Sequence, residues 1–144
     1  MFNTIFQRGS IPALEQLLYF TSERHKAIAN NIAHVNTLRY KSIDAPEDEF
    51  RQAIFAAYQR QKQSPLGVFI FEGTQHVRPK PQGGLAVQFI QSPDPGILTH
   101  GENNVDIDKE MAKMLKNARQ HNFAATLLRH QFDLMRAAIA ERVR

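Results

Sequence analysis

The apolar positions fall into two long periodic runs with an irregular middle between them. In the first run Leu14, Leu18, Thr21, His25, Ile28, Ile32 and Val35 step by four and three residues without a break. That spacing is a heptad, and it predicts a helix with one apolar seam interrupted by the polar Thr21 and His25. Ser10 is a suitable N-cap and Pro12 suits a first helical turn. The helix is therefore expected from about Ser10 to about Thr37, roughly 38 Å long. The second run is Ile107, Met111, Met114, Ala118, His121, Ala125, Leu128, Phe132, Met135 and Ile139, with the same alternation. It predicts a helix of about 35 residues, roughly 52 Å, reaching the C-terminal end. A pattern this long suggests a coiled coil or a repeat.

Between the runs the pattern changes twice. Leu38–Ala45 reads as an extended or turning connection, because the residue before Pro46 is disfavoured in a helix. Glu47, Asp48 and Glu49 then place acidic charge where a helix has its positive end. Phe50, Ile54, Ala57 and Tyr58 line one face of that second helix, which is expected to end near Gln63, before Ser64-Pro65. From 64 to 105 prolines and glycines are frequent. Two short apolar runs among them, Val68–Phe71 and Leu85–Ile90, read as strands. The stretch between them is too long for a two-residue hairpin, so a flexible tip is expected.

The expected fold is mainly α: long N- and C-terminal helices forming a coiled-coil-like bundle, with a small β-containing insert between them. The expected divisions are a mobile tail at 1–9, an N-terminal helical segment at 10–41, a short helix and irregular or β insert at 42–105, and a C-terminal helix at 106–144. Each seam needs a partner. The two can pair, but their unequal lengths leave apolar positions over, and Leu17, Ala27, Leu115, Leu127 and Leu134 widen the stripes further. Either other chains cover the surplus, or the middle of the same chain does.

Composition narrows the function classes. With 42% hydrophobic and 22% charged residues, the 144-residue chain is not the type that stays wholly disordered. It has no cysteine, which excludes disulfides, thiol catalysis and thiolate metal sites. The net charge of +4 is mild and its basic residues are scattered, as on an ordinary solvated surface. No apolar run approaches the roughly 18 residues of a membrane span. Met1–Phe6 lacks the basic and apolar regions of a cleaved secretory signal.

Candidate chemistry is sparse. His25 and His34 are nine residues apart, as are His121 and His130, which puts each pair on opposite faces of one helix. Neither pair can hold one ion from a single helix, and no H-E-x-x-H occurs. Asp106 and Asp108 lack the glycine and glutamate of a calcium loop and read better as helix caps. No phosphate-binding glycine loop and no G-x-S-x-G occurs. No catalytic, metal or cofactor residue is nominated.

Residues 27–41 read Ala-Ile-Ala-Asn-Asn-Ile-Ala-His-Val-Asn-Thr-Leu-Arg-Tyr-Lys. This resembles the N-terminal signature of the bacterial flagellar axial proteins, approximately A-x-N-N-I-A-N-x-x-T-x-G-[YF]-K. Asn30, Asn31, Ile32, Ala33, Asn36, Thr37, Tyr40 and Lys41 match as they stand. His34 replaces a third asparagine, and Leu38-Arg39 stand where Pro-Gly is common. Arginine tolerates positive φ poorly, so Arg39 counts against the family's sharp turn after the first helix. The stretch Gly101–Glu110, then Asn117, Ala118 and Ala137-Ala138-Ile139, is similar to the basal-body rod proteins of the proximal rod. The insert 64–96 matches nothing in this resemblance.

The resemblance implies a structural subunit of the periplasmic rod of the flagellar basal body, exported without a cleaved signal. It implies homo- and hetero-oligomeric helical assembly with other rod subunits, with membrane-ring and rod-base proteins, and with the flagellar export gate. No enzyme activity, cofactor, small-molecule substrate or nucleic acid belongs to it. The signature residues above would serve assembly, and the amides of Asn30 and Asn31 would bond between subunits. The assembly seam would be Leu14, Leu18, Ile28 and Val35 with Leu128, Phe132, Met135 and Ile139. Phe2 and Phe6 fit the form of an export-gate element. The terminal helices are expected to order fully only when neighbours complete the seams. Competing readings of the same residues are a non-enzymatic helical adaptor whose seams close internally, a nucleic-acid-binding module, and a small enzyme with its site in the insert.

Overall fold

A computed structural model describes residues 9–98 and 101–141. The chain is mainly helical, with two very small sheets. In order, the elements are α1 (Ile11–Ala33), β1 (Ile43–Asp44), α2 (Glu47–Gln63), β2 (Val77–Pro79), β3 (Leu85–Val87), β4 (Ile90–Gln91) and α3 (Ile107–Glu141). Strand β1 pairs antiparallel with β4, and β2 antiparallel with β3. No helix of the described residues is long and apolar enough to cross a membrane.

Helix α1 has Pro12 in its first turn, as expected, but ends at Ala33 rather than near Thr37. Asn103 accounts for the early stop. Its side-chain Nδ2 donates to the carbonyls of His34, Val35 and Thr37 at 2.9, 3.0 and 2.7 Å, which satisfies acceptors that a longer helix would otherwise use. Val35 therefore lies in the turn beyond the helix, not in its seam. Helix α2 begins with Glu47, Asp48 and Glu49 and has Arg60 and Lys62 in its last turn, so charge complements both ends of its dipole. Helix α3 is capped by Asp106, whose Oδ1 accepts from the amides of Asp108 and Lys109 at 3.0 and 3.3 Å.

The insert differs from the expected pair of strands. Val68–Phe71 forms no strand, and Phe69 and Phe71 are buried in the core. The hairpin is built instead from Val77–Pro79 and Leu85–Val87, and its turn closes tightly with Lys80 N–H on Gly84 O and Gly83 N–H on Lys80 O, both 3.0 Å. The glycines at 83 and 84 supply the positive φ of that turn, 91° and 89°. Only Ile90 of the predicted Leu85–Ile90 run joins β4, which faces β1 instead of the hairpin.

The main core lies between α1, α2 and the insert. Phe20 stacks on Phe50 with ring centroids 4.0 Å apart, and Phe50 meets Phe71 at 5.9 Å. Val77, Leu85, Phe69 and Ala57 close around them. This uses a face of α1 that the heptad reading passes over: Leu17, Phe20, Arg24, Ala27 and Asn31, again stepping by three and four. Helix α1 thus serves two partners, the insert on that face and α3 on the face of Thr21 and Ile28.

Helices α1 and α3 run antiparallel, with Asn31 beside Glu110 and Thr21 beside His121 and Asn117. The most deeply buried positions of α3 are Glu110, Asn117 and Ala124, not the heptad positions Ile107 and Met111, which are 48% and 53% exposed. Glu110, Asn117 and Ala124 themselves repeat every seven residues, so the buried line runs along α3 one position to the side of Met111, Ala118 and Ala125 in the heptad. At the other end the register places roughly the last ten residues of α3, about 15 Å, beyond the start of α1. Met135 is half-buried there, while Leu134 and Ile139 are 53% and 66% exposed.

Candidate assembly site

The two segments that carry the family resemblance meet in one hydrogen-bonded cluster. Asn31, at the end of α1, is fully buried. Its Nδ2 donates to Ile43 O at 2.7 Å and to Glu110 Oε2 at 2.9 Å. Its Oδ1 accepts from Ile43 N–H and from the Tyr40 hydroxyl, both at 3.0 Å. One side chain thereby pairs with both backbone groups of Ile43, as a strand neighbour would, and reaches the first turn of α3 as well. Every donor and acceptor site of the amide is used. The Asn31 amide is therefore spent inside the chain, which corrects the expectation that it bonds between subunits.

Around Asn31 the backbones of residues 39–44 and 101–104 are laced together. Arg39 N–H donates to Gly101 O at 2.8 Å, Ser42 N–H to Asn104 Oδ1 at 2.7 Å, and Lys41 Nζ to Glu102 O at 2.6 Å. Arg39 and Glu102 both adopt left-handed φ, 59° and 57°. The sharp turn that arginine argued against is made nonetheless, held by the bond to Gly101. A Cβ on Gly101 would come within 2.8 Å of Leu38 Cδ2, the free end of an exposed side chain that can turn aside.

The other signature residues are less deeply placed. Asn30 is exposed and donates to Tyr40 Oη at 2.9 Å. His34 stacks on Tyr40 at 4.7 Å between centroids. Burial raises the Tyr40 pKa, the Asn30 bond opposes that, and the charge of Glu110 adds to it. Ile32 is half-buried, and Ala33, Asn36, Thr37 and Lys41 are exposed. Of the seam residues, Ile28 is fully buried, Leu14, Leu18, Leu128, Phe132 and Met135 are half-buried, and Ile139 is exposed. Phe2 and Phe6 lie outside the described residues.

Beside this cluster sits an ion-pair network that the sequence reading did not single out. Arg24 is 5% exposed and grips Asp44 with two bonds, at 2.9 and 3.0 Å, while its third arm reaches Glu47. Burial works against the guanidinium charge, but the bonds and charges of Asp44 and Glu47 outweigh it and raise its pKa. Burial would likewise raise the Glu47 carboxyl, yet Arg24, Gln120 and Lys116 hold it below the usual carboxylate range. Glu47 thus bridges α1 to α3 from the start of α2. The available signal was the position of Arg24 on the Leu17–Phe20–Ala27 face, where a solvated arginine has no place.

The surface left over is apolar and lies mainly on helices. Ile107, Met111 and Leu115 expose one flank of α3, and Phe123 and Leu134 another. A cleft of about 310 Å³ lies where α1, α2 and α3 approach, lined by Ala13, Leu17, Ile54 and Tyr58 among others. Among the described residues, no group of three or more His, Cys, Asp or Glu side chains could hold a metal. No family model and no curated protein matches the chain.

Proposed function

We propose that this chain is a structural subunit of a bacterial flagellar axial assembly, working by polymerisation and not by catalysis. Within that class the reading is narrower: a proximal-rod subunit closest to flagellar basal-body rod protein B. The observation that carries the proposal is the lacing of residues 30–44 to residues 101–110. The two segments that resemble the family are separate in sequence, yet Asn31, Tyr40, Asn103 and Glu110 join them in one buried clamp. The clamp fixes the exit of α1 against the entry of α3 and so presents both terminal helices as one unit.

In this reading α1 and α3 act as a coiled-coil-like pair. The exposed flanks of α3 and its C-terminal overhang meet neighbouring rod subunits, ring proteins and rod-base proteins in the periplasm. Export proceeds through the flagellar export gate without cleavage. Covering Ile107, Met111, Leu115, Leu134 and Ile139 removes apolar area from water at about 25 cal/mol per Å², which drives assembly. Deleting the gene is expected to stop rod assembly at its base while later export substrates accumulate inside the cell. Normal rods and swimming in the deletion strain would overturn the proposal.

One observation favours a second reading, a self-contained helical adaptor. Ile28 is fully buried and Leu14, Leu18, Leu128, Phe132 and Met135 are half-buried within the single chain, so much of the seam closes internally. That reading expects a monomer at every concentration and no rod defect on deletion.

A further inference from the structure

Helices α1 and α3 form a two-helix layer that the rest of the described chain covers on one side. On that side Leu17 and Phe20 of α1 pack on α2 and the insert. Glu47 of α2 reaches Lys116 and Gln120 on the same side of α3. At 3.6 residues per turn, Leu14, Leu18 and Ile32 of α1 and Ala118, Ala125 and Phe132 of α3 fall on the opposite side. Two open clefts of about 400 and 320 Å³ follow one another along it. The first is lined by Ser22, His25 and Ala118, the second by Leu18, Ala125 and Phe132.

The heptads are half used. In α1, Thr21 and Ile28 are buried against α3, while Leu14, Leu18 and Ile32 are half-buried and His25 is exposed. In α3, Asn117 and Ala124 are buried, while Ala118, Ala125 and Phe132 beside them are half-buried. One partner thus satisfies one edge of each stripe and leaves the other edge open. A helix in a four-helix bundle packs between two neighbours, so it needs both edges. Ser22, His25 and Asn122 make one polar layer in the open stripe, an interruption that fixes register at some cost in stability.

We propose that two copies of this chain meet through this open side and form an antiparallel four-helix bundle. The two-fold axis runs parallel to the helices, and each α1 lies over α3 of the second copy. A two-fold contact must be self-complementary, and the charges at its rim are. Glu15 of α1 and Arg129 of α3 border the open side on its two outer edges. The ion pairs of the described residues leave both out. At the register α1 and α3 keep within one chain, with Asn31 beside Glu110, the pairing brings Glu15 within about one helical turn of Arg129 of the second copy. The open side is roughly 30 Å long and two helices, about 20 Å, wide. Its projection of roughly 600 Å² approaches the roughly 800 Å² per partner of a standard interface. The inference stands apart from the rod reading, because it concerns a closed pair of the free chain.

Sedimentation equilibrium of the full-length chain across the micromolar range tests it. The expected result is a reversible monomer–dimer equilibrium with no larger species. Ser22 is exposed on the open side, so Ser22→Glu should weaken the dimer about tenfold or more and leave the circular dichroism of the dilute monomer unchanged. Thr126 is also exposed but faces directly away from α1, so Thr126→Glu should leave the dimer intact. Glu15→Arg and Arg129→Glu should each weaken the dimer, and the double reversal should recover it. Within one chain the two side chains stand on opposite edges of the layer, so a role confined to the monomer gives no such recovery. A monomer at every concentration, an open-ended series of larger species, or a dimer indifferent to Ser22→Glu would each overturn the proposal. So would a double reversal that stays as weak as the single variants.

Discussion

Replacing Asn31 by alanine removes four hydrogen bonds. The half-buried Tyr40 hydroxyl loses least, while Glu110 keeps Lys113 at 2.8 Å but not its bond from Asn31. The N–H and carbonyl of Ile43 lose the side chain that pairs them, and Glu110 loses a charge-assisted donor. Neutral bonds contribute about 1 kcal/mol each and charged ones about 1.5–3 kcal/mol, so the sum is about 3–5 kcal/mol. That is a large part of a typical domain's 5–15 kcal/mol. Urea unfolding followed by circular dichroism measures it. Asn30→Ala is the matched control, because exposed Asn30 gives up one side-chain bond and should cost at most about 1 kcal/mol. If Asn31→Ala fell within 1 kcal/mol of the parent, or matched Asn30→Ala, the clamp would not hold the fold.

Three further outcomes follow from the same geometry. Arg24→Met leaves Asp44 buried without its cation and should destabilise by about 3–5 kcal/mol in the same urea assay. The Glu47 carboxyl is depressed in the folded state, so the stability it contributes is present above the ordinary glutamate value of about 4.3 and is lost as pH falls through its lower folded value. Melting temperatures should therefore drop in that acid range, and Glu47→Gln should flatten the drop. Arg39→Gly relieves a left-handed residue costing about 1–2 kcal/mol and adds chain entropy to the unfolded state, for a net gain of up to about 1 kcal/mol. Arg39→Val should destabilise, and thermal melts separate the two.

The helices were legible because their seams repeat over many residues. Helix α2 was legible because its acidic start and Ser64-Pro65 stop are local signals. What stayed hidden was set by distant contacts. Asn103 ends α1 across more than sixty residues of chain. Val68–Phe71 has strand composition but no strand neighbour, because Phe71 packs on Phe50, Phe69 enters the same core, and the ladder goes to Val77–Pro79. The asparagine signature was visible as a motif, while the partners of Asn31 were not, since Ile43, Tyr40 and Glu110 converge only in three dimensions. The heptads predict one seam per helix, yet α1 packs on two faces and α3 packs along a line one position to the side of its heptad.

In the proposed rod, neighbouring subunits would cover the exposed apolar flanks of α3. A photo-crosslinking residue placed in turn at Leu115 and Ile139, in cells that build basal bodies, tests this most directly. The account predicts covalent adducts between this chain and other rod subunits at both positions, and none when the probe stands at exposed Gln82 in the hairpin turn. Monomer alone at Leu115 and Ile139, with the protein folded and exported, would contradict it.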